Sequence, residues 1–284
     1  MKNIFQRHWH TVVRLQKPTE KNIITEDNKG GQLIAETIYC GTDCEVGARM
    51  LVDAVSFKIE DAAWETHTLP VTIKPIPELR GIEAYFDSGA KIAKVVAPFG
   101  TLAVDLFKEV VRGVIQSETF LLPERGYDSA AAYNEYWDKF YLNTCHYYSN
   151  LDRVTKQWDY SEYTRTSVLF NRFVNQAVYI VQEGGYFVIA SFSDSYHEIS
   201  VELSLTDELV ITKAEGTLLR APDEVCKEAV LFLKKLNGYA GIDPVKKQLA
   251  ELLGLGCGCV HLIDTVYEAL QAANIAKNMS TAPR

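Results

Sequence analysis

Five side chains in the C-terminal part of the sequence are of the types that hold metals or attack electrophiles: Asp194, His197, Cys226, Cys259 and His261. Thiolate and imidazole together suit zinc, iron or an iron–sulfur cluster. Cys226 follows Pro222-Asp223, a pair that opens a helix, and Cys259 stands near the head of the last helical stretch. A helix N-terminus presents unpaired N–H groups and the positive end of the helix dipole. A thiol placed there is expected to ionise readily, and the thiolate is the form that attacks or ligates. If the two helices pack side by side on a sheet, both sulfurs face the turn that carries Asp194 and His197. Each residue also has a plainer role: a buried Cys is a small apolar side chain, and Asp194 is a natural Asx-turn residue. The spacing is not that of a zinc finger, which needs short-range Cys and His pairs.

The elements that must position these residues follow from periodicity. Ile199, Val201, Leu203 and Leu205 alternate with Ser200, Glu202 and Ser204, which predicts a strand with one buried and one wet face. Thr206-Asp207-Glu208 predicts a hairpin turn, with a second strand from Leu209. A helix is expected from Asp223 to about Asn237-Gly238, and a short one from Asp243-Pro244. A third is expected from near Cys259 to about Ala276. The glycine-rich run Gly254 to Cys259 follows a predicted helix rather than a strand, so it reads as a tight helix-to-helix turn and not as a dinucleotide fingerprint. Pro70 to Leu79 carries three prolines and reads as a stiff extended connection.

The same order occurs earlier in the chain. Gly30-Gly31 and Gly184-Gly185 each open an apolar run, a polar turn and an alternating strand, the latter ending at Asp53 and Asp207. Two later helices carry Asp-x-x-x-Glu, as Asp105 with Glu109 and Asp264 with Glu268. The fold expected is α+β: two degenerate copies of an antiparallel three-strand meander followed by helices, over residues 1–122 and 163–278. Between them, residues 123–162 form a Tyr-rich helical insertion, with Tyr133, Tyr136-Trp137, Phe140-Tyr141 and Tyr147-Tyr148 at helical spacing. Such a stripe is core or subunit interface, and a homodimer is expected through it. In the first copy Cys40 takes the place of Asp194 and Cys44 falls near His197, while Thr101 and Leu102 replace Cys259 and His261. His67 is a loose counterpart of Cys226, and Cys145-His146 reads as structural.

Composition narrows the partners. With 29 Lys and Arg against 37 Asp and Glu, the net charge is −8, which argues against nucleic acid or an anionic membrane. No apolar run has membrane-helix length, and the start shows no secretory signal, so a cytoplasmic protein with free cysteines is expected.

The stretch from about Tyr163 to Ala273 resembles a bacterial domain family of unknown function. The likeness runs through the basic start Thr164-Arg165, then Tyr196-His197-Glu198, Pro222-Asp223-Glu224-Val225-Cys226, and Gly258-Cys259-Val260-His261-Leu262. Glu198 and Val260 depart from that family's Asp and Thr. More distantly, the order of elements is similar to iron–sulfur cluster scaffolds of the NifU and IscU kind. Their ligands come from a Cys-Gly-Asp turn, a Cys opening the next helix and a His-Cys pair opening the last. Cys40-Gly41-Thr42-Asp43 also looks like that first turn.

The resulting expectation is a scaffold-like protein binding a zinc or iron ion or an iron–sulfur cluster through Cys226, Cys259, His261 and either Asp194 or His197. One alternative is a thiol enzyme with Cys226 or Cys259 as nucleophile and a histidine as base. Another is a non-catalytic dimeric binding module for a small molecule or protein.

Overall fold

The computed structural model describes residues 1–17, 31–155 and 165–281. Gly30, Thr164 and the boundary expected at 162–163 lie outside the described residues. The chain divides into two compact units, an N-terminal one of Trp9–Tyr136 and Tyr160–Arg172, and a C-terminal one of Met1–His8, Trp137–Asp159 and Phe173–Arg284. Strands β1 (Lys2–Gln16) and β6 (Val168–Ile180) contribute residues to both. Strands and helices are both present and the described strand pairs are antiparallel, an α+β protein.

In the N-terminal unit the strand order is β5-β4-β3-β2-β1. Here β2 is Gln32–Gly41, β3 is Glu45–Asp53, β4 is Ile59–Thr66 and β5 is Thr72–Pro75. The register of β2 with β3 runs from Gln32↔Asp53 to Cys40↔Glu45. Period-2 alternation buries Leu33, Ala35, Thr37 and Tyr39 on one face. Helix α1 (Gly89–Val96) leads into α2 (Thr101–Ser117), which packs on β2 and β3. Along α2, Ala103, Leu106, Phe107, Val110, Val111 and Val114 recur at helical spacing and are buried. Gly113 lets α2 approach closely, since a Cβ there would sit 3.0 Å from Val13 and 3.1 Å from Thr11. Part of the proline-rich segment expected to be a connection is strand β5: Ala63↔Pro75 to Thr66↔Thr72 pair it with β4. Alternating Val71 and Ile73 are exposed there.

In the C-terminal unit the order is β6-β7-β8-β9. Here β7 is Tyr186–Asp194, β8 is Glu198–Leu205 and β9 is Ile211–Arg220. The alternation anticipated for β8 is present, with Ile199, Val201, Leu203 and Leu205 buried. The segment after Asp223 is helical from Glu224 to Leu236 but wound as a 3₁₀ helix, more tightly than an α-helix. Asp223 caps it by accepting from the Val225 N–H at 3.1 Å, and Gly238 follows it at φ +85°. Helix α4 (Lys246–Leu252) starts after Asp243-Pro244 rather than at it, because Asp243 is held at φ +45°, outside helical space. Gly254 to Gly258 turn the chain from α4 into α5 (Val260–Thr281), which packs on β7 and β8. A Cβ at Gly258 would meet the Leu253 carbonyl at 2.0 Å, so this turn needs glycine.

Each unit also buries an ion pair between a strand arginine and a helix glutamate. Arg172 on β6 pairs with Glu109 of α2 at 3.1 Å, and Arg7 on β1 pairs with Glu268 of α5 at 2.8 Å. Of the aromatic stripe, α3 (Ala130–Phe140) covers the first part only, and Tyr147 and Tyr148 lie in turns beyond it. Trp137, Tyr141 and Tyr148 stack in succession, with centroids 5.1 and 5.2 Å apart. Among the described residues, no helix is long and apolar enough to cross a membrane.

Candidate metal centre

Three residues, Ser195 to His197, connect β7 to β8, and the turn from Asp194 to His197 is closed by the Asp194 N–H donating to the His197 carbonyl at 2.9 Å. The Asp194 side chain folds back over its own turn. Its Oδ1 accepts from the Tyr196 N–H at 2.8 Å and the His197 N–H at 2.7 Å, an Asx-turn arrangement. The same oxygen lies 3.3 Å from His197 Nδ1. A carboxylate beside Nδ1 restrains the imidazole's orientation. The Asp194 side chain is 1% accessible and that of His197 13%.

His261 enters from the first turn of α5, whose second residue it is. Thr265 Oγ1 donates to its carbonyl at 2.7 Å. Its ring lies 4.0 Å, centroid to centroid, from that of His197, inclined by 36°. Phe192 of β7 backs both imidazoles, 5.1 Å from His261 and 6.4 Å from His197. One ligand atom each from Asp194, His197 and His261 falls within 4.8 Å of the others, the one such group of three among the described residues. Zinc bonds of about 2.0–2.2 Å place tetrahedral ligands roughly 3.3 Å apart, so small rotamer changes would close these donors on an ion. Two imidazoles and one carboxylate match the donor set of open mononuclear zinc or ferrous sites.

The cysteines stand apart from this group. Cys226 sits in the first turn of the 3₁₀ helix, and the Cys259 carbonyl accepts the Ile263 N–H at 3.0 Å at the head of α5, so both are at the helix starts foreseen. Their ionisation goes the opposite way from that expected. Burial pushes Cys226 and Cys259 each up to about 12, outweighing the N–H groups of the helix starts that favour thiolate. The negative charge that Cys259 and Cys145 would carry also raises Cys226, which places these thiols in one neighbourhood. At pH 8 a thiol at about 12 is roughly one part in ten thousand thiolate. In native protein, iodoacetamide is therefore expected to modify exposed Cys257 while sparing Cys226 and Cys259 until denaturant is added. Peptide mass spectrometry reads this, and modification of either buried thiol as fast as Cys257 would contradict it.

His146, set aside as structural, bridges the Cys257 carbonyl at 2.6 Å and Glu228 at 3.2 Å. In the earlier turn, Cys44 is pushed up to about 11 by burial and then by Asp43, and Cys40 is raised by burial. The Tyr39 hydroxyl donates to Asp43 at 2.8 Å, and His67 lies 3.7 Å from Glu65. These residues join no group of three potential ligands among the described residues.

Residues 180–275 match DUF2889, a family of proteins of unknown function. No curated protein and no solved structure matches the chain. The DUF2889 stretch contains all of Asp194, His197, Cys226, Cys259 and His261, and so the whole Asp/His/His group. Sequence reasoning missed Phe192 and Arg220 as parts of this site. Phe192 reads only as a buried strand residue. The Glu109 and Glu268 pairings did leave a signal, the repeated Asp-x-x-x-Glu on two helices.

Proposed function

We propose that this is a metal-binding protein whose single ion is held by Asp194, His197 and His261. The convergence of those three donor atoms within 4.8 Å carries the reading. It is supported by the burial of Asp194 and by the close approach of the two imidazole rings, whose centroids lie 4.0 Å apart. With three protein ligands, an ion keeps a position for water or substrate and supplies Lewis-acid polarisation there. Cys226 and Cys259 form a separate buried thiol neighbourhood, so the ion of this reading needs no sulfur ligand. An iron–sulfur scaffold draws less support from that arrangement. A nucleophilic thiol draws less still, given the direction in which burial moves both cysteines.

The two-copy reading belongs to the same proposal. It is supported by the matching placement of α2 on β2 and β3 and of α5 on β7 and β8, each helix with a buried strand-arginine partner for its glutamate. In that reading the second copy keeps the metal ligands and the first has lost them. A cytoplasmic homodimer, with the exposed rings of Tyr136 and Phe140 at its interface, completes the picture.

Metal analysis of purified protein tests the central claim. About one ion per chain is expected in the wild type and in Cys226→Ala and Cys259→Ala, and none in His197→Ala or His261→Ala. Retention by both histidine variants, with loss in the cysteine variants, would overturn it in favour of a sulfur-ligated site.

A further inference from the structure

Arg220 is the last residue of β9 and stands opposite Glu198, the first residue of β8. Its guanidinium donates to the Ser195 carbonyl at 2.7 Å, to the His197 carbonyl at 3.1 Å, and to the Asp194 carbonyl. Three of the four carbonyls in the Asp194–His197 turn therefore point at one cation. On the other side of the turn, the Tyr196 and His197 N–H groups are taken by Asp194 Oδ1. Two of the turn's N–H groups thus face the carboxylate, and three of its carbonyls face the guanidinium.

That arrangement decides which cation the turn can serve. Calcium collects six to eight oxygens, main-chain carbonyls included, and a tight turn beside a carboxylate is a natural source of them. Here those carbonyls already face a fixed positive charge, and a second cation could share them only by displacing it. What remains for an ion is two imidazoles and one carboxylate, donors preferred by zinc, cobalt and ferrous iron over hard cations. Resting on the metal reading above, we infer that Arg220 is a positioning and specificity-determining residue of this centre. It holds the turn's carbonyls away from the ion and so restricts the site to a transition-metal ion that favours imidazole.

The experiment compares full-length wild type, Arg220→Met and Arg220→Lys. Zinc and cobalt(II) affinities are read by competition with a chromogenic chelator, the cobalt d–d spectrum reports ligand geometry, and calorimetry reports calcium. Wild type is expected to bind zinc and cobalt and to give no calcium heat. Arg220→Met is expected to weaken zinc and cobalt by about 10- to 100-fold, the usual effect of losing an outer-shell partner, with a shifted cobalt band and measurable calcium binding. Arg220→Lys reaches fewer of the three carbonyls and falls between, weaker by several-fold. Unchanged affinity and an unchanged cobalt spectrum in Arg220→Met overturn the inference while leaving the metal reading intact. Should that variant fail to fold by circular dichroism, the same identity in Arg220→Lys overturns it. Absence of zinc and cobalt binding by wild type overturns both.

Discussion

Glu268→Ala is expected to lower stability by about 3 kcal/mol in urea unfolding, among the largest effects of any single change outside the apolar core. The Arg7 side chain is 7% accessible. Its Nη2 donates to the Glu268 carboxylate at 2.8 Å and to the Glu268 carbonyl at 3.0 Å, while its Nε donates to Gln176 at 2.8 Å. Removing the carboxylate takes from a buried cation the negative charge it faces, and the desolvation cost already incurred is less well offset. The double change Arg7→Met with Glu268→Leu removes both charges and should recover most of the loss. The pair in the N-terminal unit should rank its variants differently. Glu109 is held by Arg112 at 2.8 Å as well as by Arg172 at 3.1 Å, and the Arg172 side chain is 1% accessible. Glu109→Ala strips a fully buried guanidinium of its carboxylate, whereas Arg172→Met leaves Glu109 still paired. Glu109→Ala is therefore expected to cost more than Arg172→Met, and the reverse ranking would refute this account.

The second large effect appears at alkaline pH. Cys226 and Cys259 ionise near 9.0 when exposed in the unfolded chain and at about 12 in the native one. Above pH 9 the unfolded state therefore binds fewer protons than the native state, so stability must fall as pH rises. The fall begins near the unfolded value and continues toward the native one. By pH 11 each thiol accounts for on the order of 2 kcal/mol, since one unit is worth about 1.4 kcal/mol. Other groups titrate in this range, so the measurement is a difference: unfolding free energy from pH 7 to 11 for wild type against the Cys226→Ala, Cys259→Ala double variant. The double variant is expected to lose distinctly less. Parallel curves would mean that the thiols are more accessible than the structure shows.

Much of the fold was legible because local physics wrote it. The β8 alternation, the Asp223 cap and the glycine turn between α4 and α5 are signals that act within a few residues. Strand β1 carried no such mark. Its buried face includes Arg7 and Thr11 among Phe5, Trp9 and Val13, which blurs the period-2 pattern. Strand β6 is similar, with Arg172 and Gln176 on its buried face. Of the candidate site, Asp194 and His197 were legible as neighbours in one turn, and His261 as a helix-start residue that the order of elements brings near them. The cysteines misled because a helix start can be read from sequence while burial cannot, and burial is the larger influence on a thiol. Arg220 was invisible because its partners are main-chain oxygens, which every residue has.

Strand β5 closes one margin of the N-terminal unit's strands, and Val71 just before it and Ile73 within it show apolar side chains to water, the pattern by which one chain recruits another into a growing ribbon. Proline flanks that short stretch at Pro70 and ends it at Pro75. A ring nitrogen has no hydrogen to offer a newcomer, so any intermolecular ladder begun there breaks after a few rungs, and self-templated deposition is opposed at this border.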